Sequence, residues 1–165
     1  TFTASLRDAA TQLGLINGLN QSVSSINSEI SNLQSNQPQA WISGSSGAFT
    51  TSSTTFVDVT NLSITFTNKK PDLLLRLIPD GDSSDDIFSI GGFGSGAQMI
   101  TRWVLDGSTF FEYANGIILN TDKKFDLTAY CSATPGNHTI KLQVSTPAGS
   151  LIVANKKILI QELPI

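Results

Sequence analysis

The stretch INGLNQSVSSINSEISNL, residues 16–33, repeats apolar residues at heptad spacing. The first and fourth heptad positions, a and d, are held by Ile16, Leu19, Val23, Ile26, Ile30 and Leu33. Between them stand only Ser, Asn, Gln, Gly and one Glu, so the apolar stripe is two residues wide in seven. A helix that packs on its own domain usually shows a wider apolar face, whereas this pattern is typical of helices that associate with copies of themselves. Because β-branched residues dominate position a, with mixed Leu and Ile at d, the pattern leans away from a pure dimer and permits a trimer.

Towards the amino end the apolar pattern continues to Leu6, which predicts one helix over residues 5–36. Two consecutive three-residue steps, from Leu13 to Leu19, interrupt the heptad and should overwind the coiled coil there. Gly14 and Gly18 flank this step, and each weakens a helix by about 1 kcal/mol relative to alanine. The alternative is a single amphipathic helix that packs against its own domain.

Towards the carboxyl end, Pro38, Gly44 and Gly47 stop the helix and indicate a short junction. The sequence therefore predicts three parts: a coiled-coil stalk at 1–37, a junction at 38–47 and a head at 48–165. Because the first residue is Thr1 and not Met, we expect the chain to be part of a longer protein.

From residue 48 the apolar period becomes two, which predicts strands. In HTIKLQVS, residues 138–145, Ile140, Leu142 and Val144 should point inwards. Similar strands are predicted at 56–68, 72–78, 87–90, 99–105, 108–112, 117–120, 125–131, 150–154 and 157–163, separated by turn residues. Short strands without intervening helices indicate an antiparallel β-sandwich, for which a jelly roll of about eight strands fits the length. The predicted fold class is thus mainly β, with an N-terminal trimeric coiled coil before the sandwich head.

Two predicted strands do not alternate: LLLRLI at 73–78 and ILIQEL at 158–163. A nearly continuous apolar strand is typical of a strand covered on both faces. Because no helix remains to cover a second face, we expect a subunit interface there. Leu74, Ile158 and Ile160 are accordingly predicted to join the trimer seam.

Arg76 and Arg102 are the candidate ligand-contact residues at a subunit interface. Three symmetry copies of Arg76 would repel one another unless acidic residues or a bound anion compensate. Either arginine could also contact an acidic host molecule. The alternative is a guanidinium that reaches the rim or pairs with a carboxylate of its own chain.

Composition argues against several other classes. The net charge of −3 and the 14% of charged residues do not favour a nucleic-acid binder. No apolar run approaches the roughly 20 residues needed to span a bilayer. With one cysteine, Cys131, and one histidine, His138, we expect neither an internal disulfide nor a zinc site. The acidic run DGDSSDD at 80–86 lacks the spacing of an EF-hand, so it is interpreted as a hairpin tip, with a cation site as the alternative. No catalytic constellation is apparent, and we expect a non-enzyme without cofactor or metal.

A polar stalk, a short junction and a sandwich head resemble the fibres and tail needles of tailed bacteriophages, and more distantly the adenovirus fibre and its knob. The segment 135–163, with GNHTIKLQVST and LIVANKKILIQEL, looks like the last strands of phage fibre tips. Such heads are similar to tumour-necrosis-factor (TNF) and C1q trimers, whose final strand lies near the threefold axis. The order of helix and head favours a needle or short fibre of a short-tailed phage.

The resemblance implies a homotrimeric virion protein at the tail tip, assembled in the host cytoplasm. It would join the tail through a preceding segment, contact a host-envelope component and, as a needle, plug the DNA-ejection channel. Loop residues expected to face the receptor are Asp80, Asp82, Asp85, Asp86, Phe93, Phe110, Phe111 and Tyr113. The alternative function is a C1q- or lectin-like trimer that binds a surface glycan, with Trp103 and the aromatic residues at 110–113 as a stacking platform.

Overall fold

The computed structural model of the chain describes residues 2–81, 88–91, 98–115 and 127–164. The chain divides into two compact units, residues 1–37 and residues 38–165. The predicted strand at 117–120 lies outside the described residues.

The first unit consists of one helix, α1 (Phe2–Ser35), and none of its residues is buried in the single chain. Its hydroxyl groups are largely satisfied within the helix, because serines bond to the carbonyl one turn earlier. Ser28 Oγ donates to the Ser24 carbonyl at 3.0 Å, and Ser31 Oγ donates to the Asn27 carbonyl at 2.9 Å. Such bonds explain how so many serines are accommodated in a helix, although they contribute little to its stability.

The second unit contains the strands of the chain. In order they are β1 (Ala40–Ile42), β2 (Ala48–Thr51), β3 (Val57–Asn68), β4 (Asp72–Pro79), β5 (Phe88–Gly91), β6 (Gln98–Leu105), β7 (Ser108–Asn115), β8 (Thr128–Ser132), β9 (Gly136–Ala148), β10 (Ser150–Ala154) and β11 (Lys156–Glu162). Every described pairing between them is antiparallel. The prediction of a mainly β, antiparallel fold is confirmed.

The strands form three sheets: sheet A in the order β1-β11-β4-β8, sheet B in the order β2-β10-β5, and sheet C in the order β3-β9-β6-β7. Sheets A and C together contain eight strands. When these eight are numbered 1 to 8 in chain order, leaving out the strands of sheet B, sheet A has the order 1-8-3-6 and sheet C has the order 2-7-4-5. Successive strands thus cross between the two sheets except at the β6–β7 hairpin. This is the topology of a jelly roll.

The core lies between the inner faces of the sheets. On β9 the inward residues Ile140, Leu142 and Val144 are fully buried, as their alternation predicts. Trp103 of β6 is also buried, and its indole N–H has no hydrogen-bond partner among the described residues. Trp41 of β1 packs against Phe66 with ring centroids 5.0 Å apart.

The segment 38–47, which the sequence assigned to a junction, is part of the head. Its residues 40–42 form β1, which pairs with β11 at the edge of sheet A. After β1 ends, the hydroxyl groups of two serines accept hydrogen bonds from backbone N–H groups of β11, as the carbonyl groups of a partner strand would. Ser43 Oγ accepts a hydrogen bond from the Ile158 N–H at 2.8 Å, and Ser46 Oγ accepts one from the Lys156 N–H at 3.1 Å.

The prediction that Ile158 and Ile160 belong to the trimer seam is wrong. Both side chains of β11 are fully buried within their own chain, where they join the core opposite Leu75 and Leu77 of β4. The alternate residue, Leu159, points to the other face and is partly exposed. The apolar run of β11 is therefore an ordinary alternating strand, in which only every second residue faces the core.

Candidate functional site: self-association surfaces of the helix and the head

The predicted heptad stripe of α1 is exposed in the single chain. Its a and d side chains have exposed fractions of 46–68%: Ile16, Leu19, Val23, Ile26, Ile30 and Leu33. Apolar side chains that repeat at heptad spacing and remain open to solvent favour association with further helices, because burial would remove this area from water. Glu29 is the one charged residue between positions 16 and 33, so charge repulsion does little to oppose contact between copies.

A second apolar surface lies on the head, on the face of sheet A that points away from the core. We call it the outer face of sheet A. Ile42 of β1, Leu159 of β11 and Arg76 of β4 are neighbours in one cross-strand row of this face. Leu74 and Tyr130 are neighbours in the next row. Ile42 is 58% exposed and Tyr130 is 69% exposed, so large apolar groups face solvent in the single chain.

The two arginines predicted at a subunit interface lie on different sheets. Arg76 is exposed on the outer face of sheet A, beside Leu159. Arg102 lies on sheet C, where its guanidinium stacks 3.8 Å from the centroid of the Phe56 ring and its Nε donates to Gln143 Oε1 at 2.8 Å. The Arg102 guanidinium is thus held by Phe56 and Gln143 of its own chain.

A polar network surrounds Arg102 on the same sheet. Asp58 accepts hydrogen bonds from Lys141 Nζ at 2.8 Å and from the amide of Gln143. Partial burial acts to raise the pKa of Asp58, but the hydrogen bonds from Lys141 and Gln143 and the nearby charges of Lys141 and Arg102 outweigh it and lower the pKa. The Asp58 carboxylate thus lies between two cationic side chains, Lys141 and Arg102.

The predicted receptor-facing residues lie in different environments. Asp80 accepts a hydrogen bond from Ser45 Oγ at 2.6 Å and is tied to the head. Phe110 packs against the core, while Phe111 and Tyr113 on β7 keep exposed fractions of 36% and 38%. Asp82, Asp85, Asp86 and Phe93 lie outside the described residues. Within the described ranges no group of three His, Cys, Asp or Glu residues could hold a metal ion.

The stacking platform proposed for the glycan-binding alternative is not formed as predicted. Trp103 is 1% exposed, so its indole ring belongs to the core and cannot stack on a ligand. Next to Trp103 the register between β6 and β7 shifts: Trp103 pairs with Phe111 and Val104 pairs with Thr109, so the extra residue, Phe110, lies on β7.

His138 forms a site that the sequence did not reveal. Its Nδ1 lies 2.6 Å from Asp106 Oδ2, and its Nε2 lies 2.7 Å from the Thr134 carbonyl oxygen. Both partners are acceptors, so both hydrogen bonds form only when both ring nitrogens carry a proton, that is, in the imidazolium form. The hydrogen bonds that His138 donates to Asp106 and Thr134 accordingly raise the pKa of His138, and the bonds from His138 and the Thr139 N–H lower the pKa of Asp106.

These shifts predict a pH-dependent contribution to stability. Because the pKa of His138 is raised in the fold, its protonated form stabilises the fold at low pH, and this contribution is lost as the pH rises through the raised pKa. The lowered pKa of Asp106 stabilises the fold above the unfolded pKa of about 3.9, and its contribution is lost as the pH falls through the lowered value. Both contributions coexist between about pH 4 and 6.5. Urea unfolding should therefore show the largest difference between wild type and His138→Gln at pH 5.5 and a smaller one at pH 9; a difference that grows with pH would contradict this assignment.

No helix in the described part of the chain combines the length and the apolar character needed to cross a bilayer. No protein-family profile and no curated protein matches the sequence.

Similar folds are found among solved structures. A chain in the structure of the infectious bursal disease virus Gt strain is 15% identical, with a TM-score of 0.52 over 78% of this chain and 35% of that one. The VP2 subviral particle of the same virus gives 12% identity and a TM-score of 0.48 over 77% and 33% of the two chains. The TNF protein Eiger from S. frugiperda gives 11% identity and a TM-score of 0.39 over 76% and 92%. The chain spans about a third of the length of the viral chains that it matches, and the likeness to the first shows a shared fold.

Proposed function

We propose that this chain is a structural virion protein that acts without catalysis, as the homotrimeric tip of a bacteriophage tail needle or tail fibre. The observation that carries the proposal is the exposed heptad stripe of α1. A lone helix with so much Ser and Asn would be marginal in water, so its stability must come from partner helices. Three parallel copies bury the a and d side chains in one seam and form the stalk, residues 1–37.

The head, from residue 38 onwards, supports the same assembly through a second surface. The outer face of sheet A presents Ile42, Leu74 and Leu159 to solvent. A stalk that gathers three chains brings three heads together, and these side chains are then available for contact between them. Leu74 thus stays in the proposed seam, while Leu159 takes the place of Ile158 and Ile160. Arg76 on the same face remains the candidate contact for an acidic group or bound anion.

The viral setting is supported by the jelly-roll topology and by its likeness to a virus-particle chain. In the proposed particle the protein sits at the tail tip after assembly in the host cytoplasm, joined to the tail through a preceding segment. Its head meets an outer-envelope component of the host, and three identical heads make that contact multivalent. If the particle uses it as a needle, it also plugs the channel through which DNA leaves.

Immunogold electron microscopy tests this proposal. Antibodies raised against the head should label the tail tip of particles of the virus that encodes the chain. Label spread evenly over the particle shell would instead indicate a shell protein, and unlabelled particles would contradict any place in the virion.

The glycan-binding alternative loses its predicted platform, since Trp103 is buried. A different part of the head gives it a specific site, as described below.

A further inference from the structure

A cavity of about 340 Å³ lies at the edge of the head where β4, β8 and the segment after β11 meet. Two contacts fix its shape. The Leu163 N–H donates to the Asp72 carbonyl at 2.9 Å, and Asp72 is the cross-strand partner of Ser132. The volume is at the lower end of the range for small-molecule sites, about 300–1,000 Å³. We call this cavity the β8 groove.

One wall of the β8 groove carries polar groups that are available to a ligand. Ser132 Oγ donates to Asp72 Oδ1 at 2.7 Å, which holds the carboxylate in place. Neither the other carboxylate oxygen of Asp72 nor the Tyr130 hydroxyl bonds to any residue that the structure describes. Tyr130 is 69% exposed, so its ring and hydroxyl are both accessible from solvent.

The remaining lining is apolar or uncharged. Leu73, Leu163 and Pro164 contribute carbon atoms to the cavity. Burial raises the pKa of the Cys131 thiol to about 11, so this group stays protonated at neutral pH. Among the lining residues that the structure describes, Asp72 is therefore the one charged side chain, and it disfavours an anionic ligand.

We propose that the β8 groove binds one neutral saccharide ring. A pyranose combines an edge of hydroxyl donors, which suit the Asp72 carboxylate and the Tyr130 hydroxyl, with an apolar C–H face, which suits the Tyr130 ring and the aliphatic lining. A single carboxylate beside carbon-rich walls matches this mixed chemistry better than it matches a purely apolar or an anionic ligand. As a contact with a host surface the site rests on the proposed function; as a binding site it rests on the groove alone.

Saturation-transfer NMR on the full chain tests the site with the methyl glycosides of glucose, galactose, mannose and N-acetylglucosamine as probes. At least one should bind with a Kd in the millimolar range, about 1–10 mM, and show its strongest transfer at C–H protons. Tyr130→Ala and Asp72→Ala should each weaken that binding about tenfold or more. Glu112→Ala, which removes an exposed carboxylate from β7, is the matched control for Asp72→Ala and should leave it unchanged.

Three results would overturn the proposal: no transfer to any of the four probes at about 50 mM, equal binding by the Tyr130 variant and wild type, or binding by a dissociated chain but not by the oligomer. The last would show that a second copy fills the groove. Circular dichroism of each variant checks that the fold is kept. Saccharide binding by a protein that proves monomeric would sink the proposed function and leave this site standing, so the two failures can be told apart.

Discussion

Ile26→Asp should dissociate the protein or weaken its assembly strongly. Ile26 lies at a d position in the middle of the heptad stripe and is 53% exposed in the single chain, so its burial depends on neighbouring copies. In a trimer the substitution places three carboxylates in one layer of the seam without partners. A buried charge without a partner costs about 3–5 kcal/mol, which exceeds what a marginal polar helix can offset. We expect helical circular dichroism to fall together with the native mass.

Ser28→Asp is the matched control, because residue 28 lies two positions further along and on the opposite side of the helix from Ile26. It adds the same charge at the heptad position farthest from the seam, and it should leave the native mass unchanged. If Ile26→Asp also kept the wild-type mass, the heptad register assigned to residues 16–33 would be wrong. If both variants dissociated, added charge and not position would be responsible.

Glu162→Leu should destabilise the head by about 3 kcal/mol or more. Glu162 is fully buried at the end of β11 and accepts backbone hydrogen bonds from three places. Its Oε2 accepts from the Gln39 N–H at 2.8 Å, and its Oε1 accepts from the N–H groups of Lys69 and Lys70. The carboxylate thus joins the start of β1, the β3–β4 turn and β11. Leucine would leave three partly buried donors without their acceptor, each at a cost of about 1 kcal/mol or more.

Glu162→Gln removes the charge of the side chain but keeps its size and shape. Burial acts to raise the pKa of Glu162, but the backbone bonds from Lys69, Lys70 and Gln39 outweigh it and lower the pKa, so the native group is a carboxylate. The amide keeps one acceptor and should lose about 1.5–3 kcal/mol in urea unfolding at pH 7. The deficit should shrink as the pH falls through the lowered pKa of Glu162, because wild type loses its advantage there. Glu112→Gln, on the exposed side of β7, is the control, and an equal effect of both substitutions would refute the role of Glu162.

The parts of the fold that could be predicted were those in which one local pattern settles the structure. The heptad stripe predicted α1 to within a few residues, and alternation in HTIKLQVS identified the core side of β9. Both succeed because helix and strand periods place the apolar residues on one side.

Other features depend on partners distant in the sequence. Strands β1 and β2 have three and four residues, too few to show an alternating pattern, and their pairing with β11 and β10 makes them strands. In ILIQEL the apolar run could not tell which alternate residues face the core, so Ile158 and Ile160 were assigned to the wrong face. The His138–Asp106 contact joins residues 32 positions apart, and no local sequence pattern indicates it.

The native mass of the full chain, measured by sedimentation equilibrium at micromolar concentration, tests the self-association account most directly. The account predicts three times the 17.6 kDa chain mass, at both low and moderate salt because the stripe is apolar. A protein that sediments at 17.6 kDa while α1 remains helical would contradict it.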